Sequence, residues 1–327
     1  MPRFRPAAAL ATAALFLAAC GGDPDAGGSD SGSASGGAQE LTTVTVADTA
    51  GAPLNFLTYG QREGYFEEAG LDLEISSSAG GATVIPQLIG GDLDVAGSNV
   101  VSVLVAAEQG LPLRMVAGGT STSEEPEQDF SAIMVAGDSP ITGIEQLAGQ
   151  RVAVNTLRNI NDIVIGSLLE DAGLAADSVQ FVELPFPDMA PAVINGDVEA
   201  ALLIEPFVTA AEQQGLKIVE RPYTSAKPGL QIGTYVMSQQ FVQENPEIAE
   251  AFLAGVQATA DAIREDPEAF RTALPEISDI SPELAADVRI NLWQGASDRE
   301  SLELIQELML RYGLIEDEVD LDEVVVG

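Results

Sequence analysis

Histidine is absent from this 327-residue chain, cysteine occurs once and lysine only twice, as Lys217 and Lys227. Without imidazole, the commonest general base and a leading metal ligand are missing. A single thiol can form neither an internal disulfide nor a cysteine cluster, so stability must come from packing. Carboxylate pairs can still carry acid–base chemistry, but no pair stands out. Catalytic residues, metal and cofactor are therefore all expected to be none. Cations are scarce as well: 14 lysines and arginines face 51 acids, a formal net charge of −37. A surface so acidic cannot hold a phosphate backbone, which excludes nucleic acid as a partner.

With 46% hydrophobic residues, the chain can bury a large core, and this length commonly divides into two lobes. The opening "MPRFRPAAALATAALFLAAC" places Arg3 and Arg5 before a short apolar run, the length of an export signal and too short to span a bilayer. Its end, "LAAC", resembles the lipobox of bacterial lipoproteins. That implies a signal peptide over 1–19 and lipid on Cys20, with an extracytoplasmic, membrane-anchored mature chain. The Gly/Ser/Asp run to residue 40 has too little apolar surface to fold and is expected to be a flexible tether.

An internal duplication dominates what remains. "EEAGL" at 67–71 returns as "EDAGL" at 170–174, "GDLDVA" at 91–96 as "GDVEAA" at 196–201, and "AAEQGL" at 106–111 as "AAEQQGL" at 210–216. Each copy opens on alternating strand-like residues, "TVTVAD" at 43–48 and "RVAVN" at 151–155. Helix-period segments lie between the matched words, ended by Gly70, Gly110, Gly173 and Gly215, where left-handed caps belong. Each copy is predicted as strand, helix, strand, helix, strand, helix, strand: an α/β lobe with a small, mainly parallel sheet flanked by helices. "QIGTYVMS" at 231–238 adds one extended segment, after which a helical pattern runs to 313. "NPE" at 245, "DPE" at 266 and "SPE" at 281 are predicted helix starts, each with a capping side chain and a proline in the first turn. The first helix carries Ile248, Phe252, Val256 and Ile263 close to one face. The acidic tail lacks the glycine and ligand spacing of a calcium loop and is expected to be a solvated end.

In open parallel sheets, ligands bind beyond the carboxyl ends of the strands. The corresponding loops are "DTAGAPLN" (48–55), "SSSAGGAT" (76–83) and "GSN" (97–99) in one copy, and "NTLRNIND" (155–162), "LPFPDM" (184–189) and "IEPF" (204–207) in the other. Two such sets facing each other make a cleft. Candidate cleft residues are Asp48, Ser98, Asn99, Asn155, Arg158, Asn159, Phe186 and Glu205. Alternatives stand beside several of them. Asn159 can cap the next helix, with Asp162 in its first turn, and Arg158 can be a surface cation. Glu205 can complement a helix dipole or accept hydrogen bonds from a solute. Phe186, between two prolines, can stiffen its loop or wall the cleft.

The words "GYFEEAGLDLEI", "LIGGDLDVAGSN", "IEQLAGQRVAVNT", "LPFPDMAPAVINGDVEAALLIEPF" and "VMSQQFVQENPEIAEAFLAG" resemble the substrate-binding proteins of ABC importers, of the nitrate, taurine, alkanesulfonate and thiamine-pyrimidine-precursor type. The resemblance implies a two-lobed type II periplasmic-binding-protein fold with C-terminal helices and a hinge near 136 and 233. Lobe 1 would comprise 41–136 plus 234–327, and lobe 2 would comprise 137–233. It also implies a monomer that closes on a small-molecule solute and is read by a membrane permease. Asp48, Ser98, Asn99, Asn155, Thr156, Glu205 and Tyr235 fall on the family's cleft positions. Relatives that hold sulfonates use hydroxyls and helix N-termini, whereas only Arg158 brings a full positive charge to these loops. Pyrimidine-precursor synthases of this fold rely on histidine, which is absent here. A tethered sensory module is the alternative function, sharing the same cleft.

Overall fold

The computed structural model describes residues 41–326. The expected signal peptide, Cys20 and tether fall on 1–40, outside the described residues. The first copy runs β1 (Thr42–Thr49), α1 (Ala52–Arg62), β2 (Leu71–Ser78), α2 (Gly81–Gly90), β3 (Val95–Asn99), α3 (Val100–Glu108) and β4 (Leu113–Gly118), followed by β5 (Ser131–Val135). The second runs β6 (Arg151–Val154), α4 (Ile160–Asp171), β7 (Gln180–Glu183), α5 (Phe186–Asn195), β8 (Ala200–Ile204), α6 (Phe207–Gln213) and β9 (Lys217–Glu220), followed by β10 (Gly233–Ser238). The predicted alternation is present in both. Pro86 in α2 and Pro191 in α5 occupy matching positions in the two copies. Gly70, Gly110, Gly173 and Gly215 all adopt positive φ, the left-handed turn that only glycine enters at no steric cost.

The strands form two five-stranded sheets, ordered β2-β1-β3-β10-β4 and β9-β5-β8-β6-β7. The two lobes are therefore built on one plan. In each, the opening strand pairs in parallel with the second and third strands, and one antiparallel strand is inserted before the last. That inserted strand comes from the opposite side: β5, which follows the first copy, enters the second sheet, and β10, which follows the second copy, enters the first. Residues 131–135 thus go with the second sheet, whereas the sequence boundary at 136 leaves them in the first lobe. "SAIMV" is buried along its whole length, so it has no alternation to signal which sheet it joins.

Apolar side chains on both faces of each sheet form the core. Val44, Val46, Val95, Val152, Leu202 and Leu203 are fully buried, each contributing roughly 1.5–3 kcal/mol by transfer from water. The C-terminal helices α7 (Pro246–Glu265), α8 (Pro267–Ile277), α9 (Pro282–Asp287) and α10 (Arg299–Arg311) follow. Phe252, Val256 and Ile263 of α7 are buried, and Gly255 lets the helix approach Phe66 so closely that a Cβ there would lie 2.3 Å from the ring. Asp266 and Ser281 cap α8 and α9 as expected. Asn245 does not cap α7; its amide turns back and donates to the Phe241 carbonyl. The helical pattern also breaks before 313, because residues 288–298 run extended and seat Trp293 against Phe56, ring centroids 5.1 Å apart. The acidic tail is tied down: Leu321 and Val324 are buried, and the Val326 amide donates to the Met115 carbonyl at 2.9 Å. No helix among the described residues is long and apolar enough to cross a membrane.

Candidate functional site

Between the lobes lies a cavity of about 50 Å³. A single water needs roughly 10–15 Å³ on that measure, so there is room for a small solute and none for a nucleotide or peptide. Its walls come from both sheets. Asp48 and Thr49 end β1, Ser98 and Asn99 end β3, Asn155, Asn159 and Ile160 follow β6, Phe186 opens α5 and Ile204 ends β8. These belong to five of the six loops selected from the duplication; 76–83 contributes no lining residue. The crossover segments add Thr120, Phe130, Tyr223, Thr234 and Tyr235. Tyr235 is the only one of that group named from sequence, through the family resemblance.

Asp48 is buried at the first lobe's edge of the cavity. Its Oδ1 accepts from the Thr49 amide at 2.7 Å, and the Tyr235 hydroxyl faces the same carboxyl. Burial pushes this carboxyl up to about 7, against the downward pull of those two groups. Gly97 makes the seat possible, because a Cβ there would stand 2.1 Å from Asp48 Cγ. The spacing of "GSN" after a strand end is the local signal for this, since the sheet pairs β1 beside β3.

On the second lobe, "NTLRNIND" divides its labour. Asn159 caps α4 through the Ile160 amide and donates to the Thr156 hydroxyl. Asp162 accepts from the Arg158 amide at 2.7 Å, and its carboxyl is pushed up to about 6 by burial. Asn155 reaches across the cleft, its Nδ2 donating to the Ala79 carbonyl at 2.9 Å. Its Oδ1 accepts from Asn161 Nδ2, also at 2.9 Å, and Asn161 Oδ1 accepts from the Tyr223 hydroxyl. A hydrogen-bonded chain thus runs from Tyr223 to the opposite lobe. Nearby, the Ala52 amide donates to the Glu205 carbonyl at 2.9 Å, a second direct bond between lobes.

Three sequence candidates stand away from the cavity wall. Thr156 is buried beside Asn159 but does not line it. Arg158 is exposed at φ 53, the surface-cation alternative. Glu205 is fully occupied by protein donors: Thr209 N at 3.1 Å, Thr209 Oγ1 at 2.9 Å and Arg289 Nη1 at 3.1 Å. Burial still drives its carboxyl upward. It closes the first turn of α6 and anchors the loop before Trp293, which agrees with the helix-dipole alternative. Phe186 serves both alternatives, lining the cavity while stacked on Phe207 with centroids 5.9 Å apart. No group of three or more metal-ligating side chains occurs among the described residues.

The family described as NMT1/THI5 like matches residues 52–270. The chain is 25% identical over 248 residues to the 4-amino-5-hydroxymethyl-2-methylpyrimidine phosphate synthase THI5 of Saccharomyces cerevisiae, covering 72% of this chain and 69% of that one. It is 24% identical over 217 residues to the taurine-binding periplasmic protein of Escherichia coli, covering 65% and 64%. Among solved structures it superposes on the alkanesulfonate-binding protein SsuA from Xanthomonas axonopodis pv. citri bound to MOPS. The TM-score is 0.73 at 14% identity, over 88% of this chain and 99% of that one, a likeness of fold.

Proposed function

The chain belongs to the NMT1/THI5-like family, and from that premise we propose that it is an extracytoplasmic solute-binding receptor of an ABC importer. It would capture a small solute of the sulfonate, nitrate or thiamine-pyrimidine-precursor class without chemistry. The observation that carries this reading is the cavity, walled by matching strand ends of two duplicated lobes and closed by direct bonds between them. Asp48, Ser98, Asn99, Asn155, Asn159, Phe186 and Tyr235 are the proposed solute contacts, joined by Thr120, Tyr223 and Thr234. Glu205 supports the wall from behind. The lobes would hinge shut on the solute, and the shut form would be the one a permease engages. Lipid on Cys20 would hold the receptor at the membrane.

Thermal unfolding against sulfonates, nitrate and thiamine precursors tests the reading. A true ligand at about 100 times its Kd adds roughly 2.7 kcal/mol, a plainly visible shift. A panel in which no compound raises the melting temperature, on protein verified to carry no co-purified solute, would sink the assignment to these three classes.

A further inference from the structure

Asp48 is the only carboxylate, and no lysine or arginine is found, among the residues lining the cavity. Every cation near enough to matter is committed elsewhere. Arg158 is exposed, Arg221 donates to the carbonyls of Asp129 and Ser131 at 2.8 and 2.9 Å, and Arg289 is paired with Glu205 and Glu212. Helix N-termini at the cleft offer an anion little more. The Ala52 amide is bonded to Glu205 O, Val100 to Ile232 O, Ser102 to Asn99 Oδ1, Ile160 to Asn159 Oδ1 and Asp162 to Asn159 O. A bare anion would therefore meet a carboxyl group, no cation and helix ends of which several amides are already bonded.

The same wall suits the opposite charge. A carboxylate has about four lone-pair sites, and the Thr49 amide fills one of those on Asp48. Phe130, Phe186, Tyr223 and Tyr235 supply aromatic surface, whose faces attract cations at close range. The glycine at 97 exists at the expense of any side chain there and leaves the carboxyl room to sit. Resting on the receptor reading above, we infer that the cavity selects its solute through a cationic nitrogen, an ammonium or amidinium group seated on Asp48 and faced by aromatic rings.

The groups packed on Asp48 are Tyr235 from β10, Gly97 and Ser98 from β3 and Ser77 from β2. Tyr235 alone among them titrates, and burial holds it well above its ordinary value. Asp48 is therefore the group in contact with the seat whose charge changes between about pH 6 and 8.5; Asp162, at about 6, lies outside the cavity lining.

The test is calorimetric titration of the purified protein with ethylammonium, acetamidinium, taurine, ethanesulfonate and nitrate, in about 0.3 M salt to mute the net charge. Taurine and ethanesulfonate differ by the ammonium group. The inference expects at least one cationic-nitrogen probe to bind one to one, about tenfold tighter at pH 8.5 than at pH 6, as Asp48 ionises across its value of about 7. Asp48→Asn should weaken it by roughly 100-fold, within the range for removing one partner of a buried hydrogen-bonded charge pair at a binding site. The pH series uses the unaltered protein and so stands even if the variant fails to fold. Binding of nitrate or ethanesulfonate without any cationic probe would overturn the inference and leave the receptor reading intact. Silence from the whole panel would overturn the inference, and the thermal-unfolding panel, which includes thiamine precursors, then decides the receptor reading separately.

Discussion

An asparagine at position 48 would fill the space of the aspartate but could not ionise. In the folded chain the Asp48 carboxyl sits at about 7, against an ordinary value of 3.8. Because the folded value is raised, the folded state holds the proton more tightly. Stability from this group is fully present below about pH 3.8 and is lost as pH rises through about 7. At about 1.4 kcal/mol per pKa unit the whole window is worth roughly 4 kcal/mol, of which about 2.5 kcal/mol falls between pH 5 and pH 8. Asp48→Asn should remove that slope. Near pH 5, where the parent has already lost about 1.5 kcal/mol, the variant should be the more stable by about 0.5–1.5 kcal/mol, the lower figure allowing about 1 kcal/mol for an altered contact with Tyr235; near pH 8 it should be the more stable by about 3–4 kcal/mol. Urea denaturation at fixed ionic strength measures the difference, and the other carboxylates, being common to both proteins, cancel. A parent-to-variant difference constant within about 0.5 kcal/mol from pH 5 to pH 8 would refute the reasoning, since it would mean that Asp48 ionises as easily folded as unfolded.

Arg289→Ala should strand the buried Glu205 carboxylate and cost about 3–5 kcal/mol near pH 8, less near pH 5 where the raised Glu205 group takes up a proton; denaturation at the two pH values reads both. Asn155→Ala should leave the fold intact but remove one bond between the lobes, weakening solute binding about 3- to 10-fold, as titration will report. Gly255→Ala should lower stability by about 1–3 kcal/mol, because the added methyl meets Phe66 inside van der Waals contact. Arg158→Ala, at an exposed position, should change solute affinity by less than twofold.

Much of the architecture is legible in the sequence, because a duplication prints the same words twice and each word marks the end of an element. Gly70 and Gly173, or Gly110 and Gly215, identify helix ends without any coordinates. The strand-end rule then picks Asp48, Ser98, Asn99, Asn155, Asn159 and Phe186, which line the cavity, together with Arg158 and Glu205, which do not. The return of β10 to the first lobe follows from the family resemblance, but the entry of β5 into the second is not legible, since a strand buried throughout has no period to tell which partner it will meet. Tyr223, Thr120 and Thr234 were missed for the same reason: they reach the cavity from the crossover segments, outside either copy's loops. Glu205 looked free because its partner Arg289 lies far along the chain, and only tertiary packing joins them. Trp293 interrupts an apparently helical stretch because Phe56, Phe270 and the neighbouring core reward its burial.

The Ala52–Glu205 and Asn155–Ala79 bonds join the lobes through protein atoms alone. Together such bonds are worth roughly 1–3 kcal/mol, enough to tilt an open-to-shut equilibrium by about 5- to 150-fold before any solute arrives. A receptor wired this way trades contrast for sensitivity: less of the solute's binding energy goes into moving the lobes, so the apparent Kd approaches the intrinsic one. The cost falls on the transporter, which would meet more empty receptors shaped like loaded ones. Substitutions around Gly51 would then tune how often a permease is engaged in vain, with no change to the atoms that touch the solute.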